Sequence, residues 1–147
     1  MYQVAKAIIA VDGGPSPHTQ YLLSVKRDAG SRCEGRLEFI GGRFDPGELP
    51  RQALVRELAE EEETGRLADL AVTRANLFFT LNAGGAHHFL FPFRISMGEY
   101  EMLRHHPDES FGYCLVREPH LKPCPVSLTD KTNRILERWL PLHEDAI

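Results

Sequence analysis

The chain has 147 residues, 42% hydrophobic and 26% charged, the balance of one globular domain with a core of its own. Its net charge of −4 excludes the basic footprint of a general nucleic-acid binder, and no apolar run reaches membrane-span length. The N-terminus lacks a secretion-signal pattern, and Cys33, Cys114 and Cys124 are odd in number and widely spaced, which fits a reducing cytoplasm without disulfides or structural zinc.

Val4 to Val11 (VAKAIIAV) is β-branched and apolar and predicts a central strand. Asp12 to Pro17 is rich in glycine and proline and predicts a loop. Tyr21 to Arg27 (YLLSVKR) predicts a second strand, ending in Lys26 and Arg27. After a polar loop over Asp28–Gly35, Leu37-Glu38-Phe39-Ile40 forms a short strand leading into Gly41 and Gly42.

From there the chain turns through Asp45-Pro46-Gly47 and enters a helix at about Pro50, with Gly65 as its C-terminal stop. Proline suits the first helical position because its missing N–H would have no intrahelical partner, but Leu49 before it is a poor cap. On a helical wheel Leu54, Val55, Leu58 and Ala59 make the apolar face. Glu57, Glu60 and Glu61 fall on the opposite face, with Ala53 in the same arc. Like charges at these spacings repel by roughly 0.2–0.5 kcal/mol per pair, and the macrodipole disfavours anions in this half of a helix. No lysine relieves them. The glutamates alone fit either a solvated acidic face or a site for a hard divalent cation on carboxylate oxygens. The glycine pair, which lets backbone approach phosphate oxygens closely, favours the second.

Arg74 to Asn82 predicts a strand, Ala83-Gly84-Gly85-Ala86 a turn, and His87 to Ile95 the returning arm of a hairpin, with Pro92 at an edge or bulge. Neighbouring strand residues point to opposite faces, so His87 and His88 do not chelate one ion, and His105-His106 is read the same way. Phe78, Phe79, Phe89 and Phe91 fit a core better than a base-stacking platform. Glu99 to Ser110 shows no strong periodicity, and Gly112 to Arg117 is a last short strand. Ser127-Leu128-Thr129-Asp130 outlines a capping box for a helix running to about Leu140, with Leu128, Ile135, Leu136 and Trp139 packed on one face. Strands with one central and one terminal helix predict an α+β domain, a mixed sheet between helices.

The central stretch resembles the signature of the Nudix hydrolases: Gly42, five residues, Glu48, seven residues, then Arg56-Glu57-Leu58-x-Glu60-Glu61. The resemblance implies a single Nudix domain over the whole chain, of the MutT-like kind. It implies metal-dependent hydrolysis of a nucleoside diphosphate linked to another group, with Mg²⁺ or Mn²⁺ as cofactor. Carried over by position, Glu57, Glu60 and Glu61 are metal ligands, Arg56 orients a glutamate, Glu48 supports the site and Gly42, with Gly41, shapes the loop. Relatives often place a phosphate-binding basic residue near Lys26 and Arg27 and a further catalytic glutamate near Glu109, with Asp108 second. Glu38 is a candidate substrate contact, although a strand-edge carboxylate explains it too. The partner implied is a small nucleotide, not nucleic acid or membrane, and relatives are often homodimers.

The family signature closes with Glu-Glu-x-Gly, which would put glycine at 63, whereas here Gly65 comes two residues late. A regular helix would turn Glu62 into the apolar face, so the insertion predicts a frayed, lengthened or bulged end that leaves the three ligands in place. Thr80-Leu81-Asn82-Ala83 lacks the Pro or Tyr that marks some subgroups, and no coenzyme A pattern precedes the glycines. Nucleoside triphosphates, dinucleotides and nucleotide sugars all remain open as substrates. Two other readings stand beside the enzyme: a nucleotide-binding regulatory module without turnover, and an acidic interaction helix. The intact Arg56, Glu57, Glu60 and Glu61 argue against the first, and the glycine loop at its fixed spacing argues against the second.

Overall fold

Strand β1 (Tyr2–Asp12) is the axis of the molecule in the computed structural model, which describes residues 1–14, 19–27, 35–117 and 128–140. One edge of β1 pairs in parallel with β6 (Ala86–Ser96) from Tyr2↔Ala86 to Asp12↔Ser96. The other edge is shared. Near its end β1 pairs antiparallel with β2 (Gln20–Lys26), and near its start with β4 (Gly41–Arg43), at Val4↔Arg43 and Lys6↔Gly41. β2 is met by β1 at Gln20–Leu22 and by β3 (Leu37–Glu38) at Ser24 and Val25, while β7 (Ser110–Arg117) runs along its far edge. So β1 and β2 fork, and the segment 37–43 fills the fork, fastened by the Ala7 N–H donating to Ile40 O at 2.8 Å.

The strand period of two sends alternate β1 residues to two cores. Ala5, Ala7, Ile9 and Val11 pack under α1 (Pro50–Glu61) and α2 (Arg66–Arg74). Ile8 and Ala10 pack with Tyr21, Phe39 and Leu90 under α4 (Asp130–Trp139), which contributes Ile135, Leu136 and Trp139. The mixed sheet therefore lies between helices, as the resemblance implied.

Several expectations need correction. The segment 66–74 is helix α2, and β5 is only Phe79–Ala83. A further short helix, α3 (Met97–Glu101), opens with a capping box in which the Glu99 N–H donates to Ser96 Oγ at 3.0 Å. The signal Ser96-x-x-Glu99 was present in the sequence. Helix α1 buries Ala53, Leu54 and Leu58, and Ala59 is exposed. The wheel misplaced Ala53 because the Glu57 side of α1 faces the β4 loop rather than open solvent. The α4 cap is Thr129, whose hydroxyl accepts from Thr132 N–H; Ser127, Cys33 and Cys124 lie outside the described residues.

The β5–β6 hairpin forms around Gly84-Gly85 as expected. β5 reaches only to Leu90 on β6, so Pro92 pairs with Ile8 of β1 and needs no donor on its other side. Phe91 is buried, and Phe79 stacks on Trp139 at 6.5 Å between ring centroids, so both serve the core.

Candidate active site

Arg56 holds the first layer of the site together. Its Nε and Nη2 donate to the two carboxylate oxygens of Glu48, each at 2.9 Å, and Nη2 also donates to Arg43 O at 2.7 Å. Nη1 donates to Glu57 Oε1 and Glu60 Oε1, both at 3.0 Å. One guanidinium thus staples the loop 43–48 to α1 while restraining two glutamates, a fork geometry that lysine cannot reproduce. Its partners raise the Arg56 pKa, the Glu48 bond foremost. The Arg56 bond and the Asp45 N–H, donated at 2.6 Å, hold Glu48 below the usual carboxylate range.

Glu57 lies against the glycine loop. A Cβ built on Gly42 would meet its carboxylate atoms at 2.5–2.8 Å. Burial raises the Glu57 pKa, partly offset by Arg56. Glu61 is the most perturbed carboxylate of the helix. Burial pushes it up to about 7, the nearby carboxylates of Glu109 and Glu38 add to the rise, and the Ser110 and Ser24 hydroxyls oppose it. Ser24 Oγ donates to Glu61 Oε1 at 3.3 Å, whereas Ser110 Oγ lies close but in no hydrogen bond of good geometry. Glu60 is half exposed at the outer rim.

Beside this face a cleft of about 510 Å³ opens between the strand fork and the start of α4. Lys6, Lys26, Arg43 and Lys131 line it, with Glu38, Gly41 and Gly42. Lys6 is buried; its Nζ donates to Phe39 O at 3.1 Å and stands 3.9 Å from Glu38, whose other oxygen is 3.6 Å from Lys26 Nζ. Burial lowers the Lys6 pKa, against the pull of Glu38. At the rim Lys131 Nζ donates to the Tyr2 hydroxyl at 2.9 Å, and the Arg43 guanidinium lies 3.9 Å over the same ring.

Of the residues singled out from the sequence, Glu48, Arg56, Glu57 and Glu60 are directly joined, Glu61 feels the charge of Glu109, and Glu38, Gly41 and Gly42 line the cleft. Arg27 is placed elsewhere: its Nη1 donates to Pro107 O at 3.0 Å and its guanidinium lies 5.2 Å over Phe111, so Lys26 is the cleft residue of that pair. Lys6, Arg43 and Lys131 went unnoticed. A lysine within an otherwise apolar strand was the available signal for Lys6.

The chain matches the NUDIX domain over residues 1–144. It belongs to the Nudix family. Over 61 residues it is 46% identical to the CTP pyrophosphohydrolase of Escherichia coli K12, which is 42% of this chain and 40% of that protein. Over 40 residues it is 45% identical to the 8-oxo-dGTP diphosphatase of the same organism, 27% of this chain and 31% of that one. The chain thus matches less than half the length of either relative. The MutT protein of Methanosarcina mazei Go1 shares the fold, with a TM-score of 0.67 at 18% identity over 98% of this chain and 96% of that one.

A hard divalent cation fits the chemistry of the Nudix helix. Glu57, Glu60 and Glu61 offer oxygen donors on one face, and the crowding of Glu61 by Glu38 and Glu109 is an excess of negative charge that a cation would relieve. The side chains are not gathered around one point. Among the described residues no three His, Cys, Asp or Glu converge as a metal cage, and Arg56 Nη1 takes an oxygen of both Glu57 and Glu60.

Proposed function

We propose that this chain is a metal-dependent hydrolase of the pyrophosphate linkage in a nucleoside diphosphate bonded to a further group. The observation that carries the reading is the contact of Glu57 with Gly42, which sets a carboxylate-bearing helix at the mouth of a cationic cleft. Glu57, Glu60 and Glu61 would hold Mg²⁺ or Mn²⁺, and when bound such an ion neutralises phosphate oxygens and acidifies water. Lys6, Lys26, Arg43 and Lys131 draw the anionic substrate into the cleft, whose wall includes the backbone at Gly41 and Gly42. Glu109 adds its charge to the ion's site and accepts the proton of the attacking water, and Glu38 orients Lys6 and Lys26 toward the substrate. Phosphoryl transfer asks chiefly for positioning and charge compensation, and this layout supplies both.

Nucleoside triphosphates are the first substrates to try, because the two E. coli relatives are named for CTP and 8-oxo-dGTP. We read the working form as a cytoplasmic homodimer, on the cysteine pattern and the habit of relatives. The test is phosphate and pyrophosphate release from a panel of triphosphates, dinucleotides and nucleotide sugars, with Mg²⁺ or Mn²⁺ and with EDTA. Metal-dependent release from one class is expected, and Glu60→Gln and Glu61→Gln should each lose about 100-fold or more in turnover while remaining folded. Unchanged turnover in both variants sinks the metal-site assignment. Tight nucleotide binding with no turnover would instead favour a regulatory module.

A further inference from the structure

Helix α1 ends just where the two extra residues of the signature enter, between Glu61 and Gly65. Helix α1 stops at Glu61, and Glu62 is extended, with φ −112° and ψ 115°. Its side chain is fully buried. A buried carboxylate is costly unless its oxygens are satisfied, and among the described residues no cationic side chain pairs with it. Four donors converge on it: Thr64 N–H at 3.0 Å, Thr64 Oγ1 at 2.7 Å, Leu67 N–H at 3.2 Å and Arg104 N–H at 2.9 Å. The first three belong to the turn into α2 and its first residues. The fourth belongs to a segment forty-two positions away.

That segment is the one that carries Glu109. Around the Glu62–Arg104 contact, Glu63 N–H donates to Arg104 O and His106 N–H to Glu61 O, both at 2.8 Å. The Glu109 and Ser110 N–H groups then both donate to His106 O, at 3.0 and 3.2 Å, which folds the loop back toward the end of α1, near enough for the Glu109 charge to act on Glu61. Arg27 closes the outer side through Pro107 O.

We propose that Glu62 is a positioning residue: its buried carboxylate docks the loop 103–110 onto the end of α1 and thereby sets Glu109 opposite Glu61. The inference rests on the reading of α1 as the metal-binding helix. The two carboxylates then act as one unit, and the loop that bears the second is held by a carboxylate that never touches substrate or ion.

Mn²⁺ alone, titrated into the full chain and followed by the electron paramagnetic resonance of the free ion, tests this without a substrate. Glu62→Gln puts an amide N–H₂ where an acceptor is required. It should weaken Mn²⁺ binding roughly 10-fold, as should Glu109→Gln. The double variant Glu62→Gln/Glu109→Gln should bind no more weakly than the weaker single, because both changes remove the same placement. Hydrogen exchange should quicken at the amides of Arg104 and His106 in Glu62→Gln and stay unchanged in β1 and β6. Wild-type Mn²⁺ affinity in Glu62→Gln or in Glu109→Gln, or losses that multiply in the double variant, overturns the positioning role. Glu60→Gln separates the two ideas: wild-type binding there overturns the metal helix itself, whereas weakened binding there with none in Glu62→Gln overturns only the docking. If Glu62→Gln does not fold, Thr64→Ala, which removes one donor, carries the same comparison with a loss of about 3-fold.

Discussion

A methyl group at Gly42 would first meet the carboxylate of Glu57, the movable end of a flexible side chain, and the φ of Gly42 is not in the left-handed region. At Gly41 φ is +149°, and a methyl group would strike the Ala5 carbonyl and the Lys6 backbone, neither of which can give way inside the β1–β4 pairing. The two substitutions should therefore part company. Gly42→Ala should keep its urea-unfolding free energy within about 1 kcal/mol of wild type while displacing Glu57 and losing most turnover. Gly41→Ala should cost about 2 kcal/mol or more in stability. A fully active Gly42→Ala protein would contradict the placement of Glu57 against the loop.

Helix α4 is both a core element and a wall of the cleft. The Thr129 hydroxyl accepts from Thr132 N–H at 3.2 Å and shares a hydrogen bond with Thr132 Oγ1 at 2.8 Å, both buried. Thr129→Ala should cost about 1–2 kcal/mol on thermal or urea unfolding. Because the freed first turn carries Lys131, KM should rise more than kcat falls. Elements with strong periodicity or composition were legible from sequence: the apolar β1, the two arms around Gly84-Gly85, α4 with its Leu136 and Trp139 stripe, and the spacing of α1. What escaped depends on neighbours. Ala53 and Ala59 are alike in chemistry, and only the packing of α1 on β4 says which is buried. Helix α2 starts after Gly65, which has no side chain to cap it, and the Thr64 hydroxyl and buried Glu62 carboxylate accept from the Arg66 and Leu67 N–H groups instead. Lys6 reads as an oddity in a strand until the fork of β1 and β2 gives its ammonium a cleft to face.

At the scale of the whole molecule, the sheet interior carries an acid-sensitive group. His88 is fully buried between Val4 of β1 and Leu81 of β5, with Nε2 3.2 Å from Ala83 O. Burial lowers its pKa to about 4, and Lys6, Lys131 and His87 push in the same direction. The unfolded chain takes up this proton near 6.5. Between those values the unfolded state binds more protons, so the His88 contribution is intact above about pH 6.5 and is lost as pH falls toward 4. Glu61, raised toward 7, titrates in the opposite sense over the same window, so the comparison must be with a variant. Relative to His88→Gln, the wild type should lose roughly 3 kcal/mol of unfolding free energy between pH 7 and pH 4. A difference that does not change with pH would show that His88 ionises freely in the native sheet.

The parallel pairing of β1 with β6 sets the order in which this protein can be made. Tyr2 must wait for Ala86 and Asp12 for Ser96, so on the ribosome the first strand emerges long before its longest partner exists. In the interval its Ile-Ile-Ala-Val run has only β2 for a ladder partner, and the start of the strand only the short β4. A chain arrested before Ser96 lacks the central ladder and exposes an apolar edge open to other chains. Contacts of such long sequence separation slow folding, because loop-closure entropy is lost before they form. The carboxylate helix lies inside that loop, so its bed on the sheet is complete only once β6 has docked, and Glu109 and Lys131, farther along the chain, join the site later still.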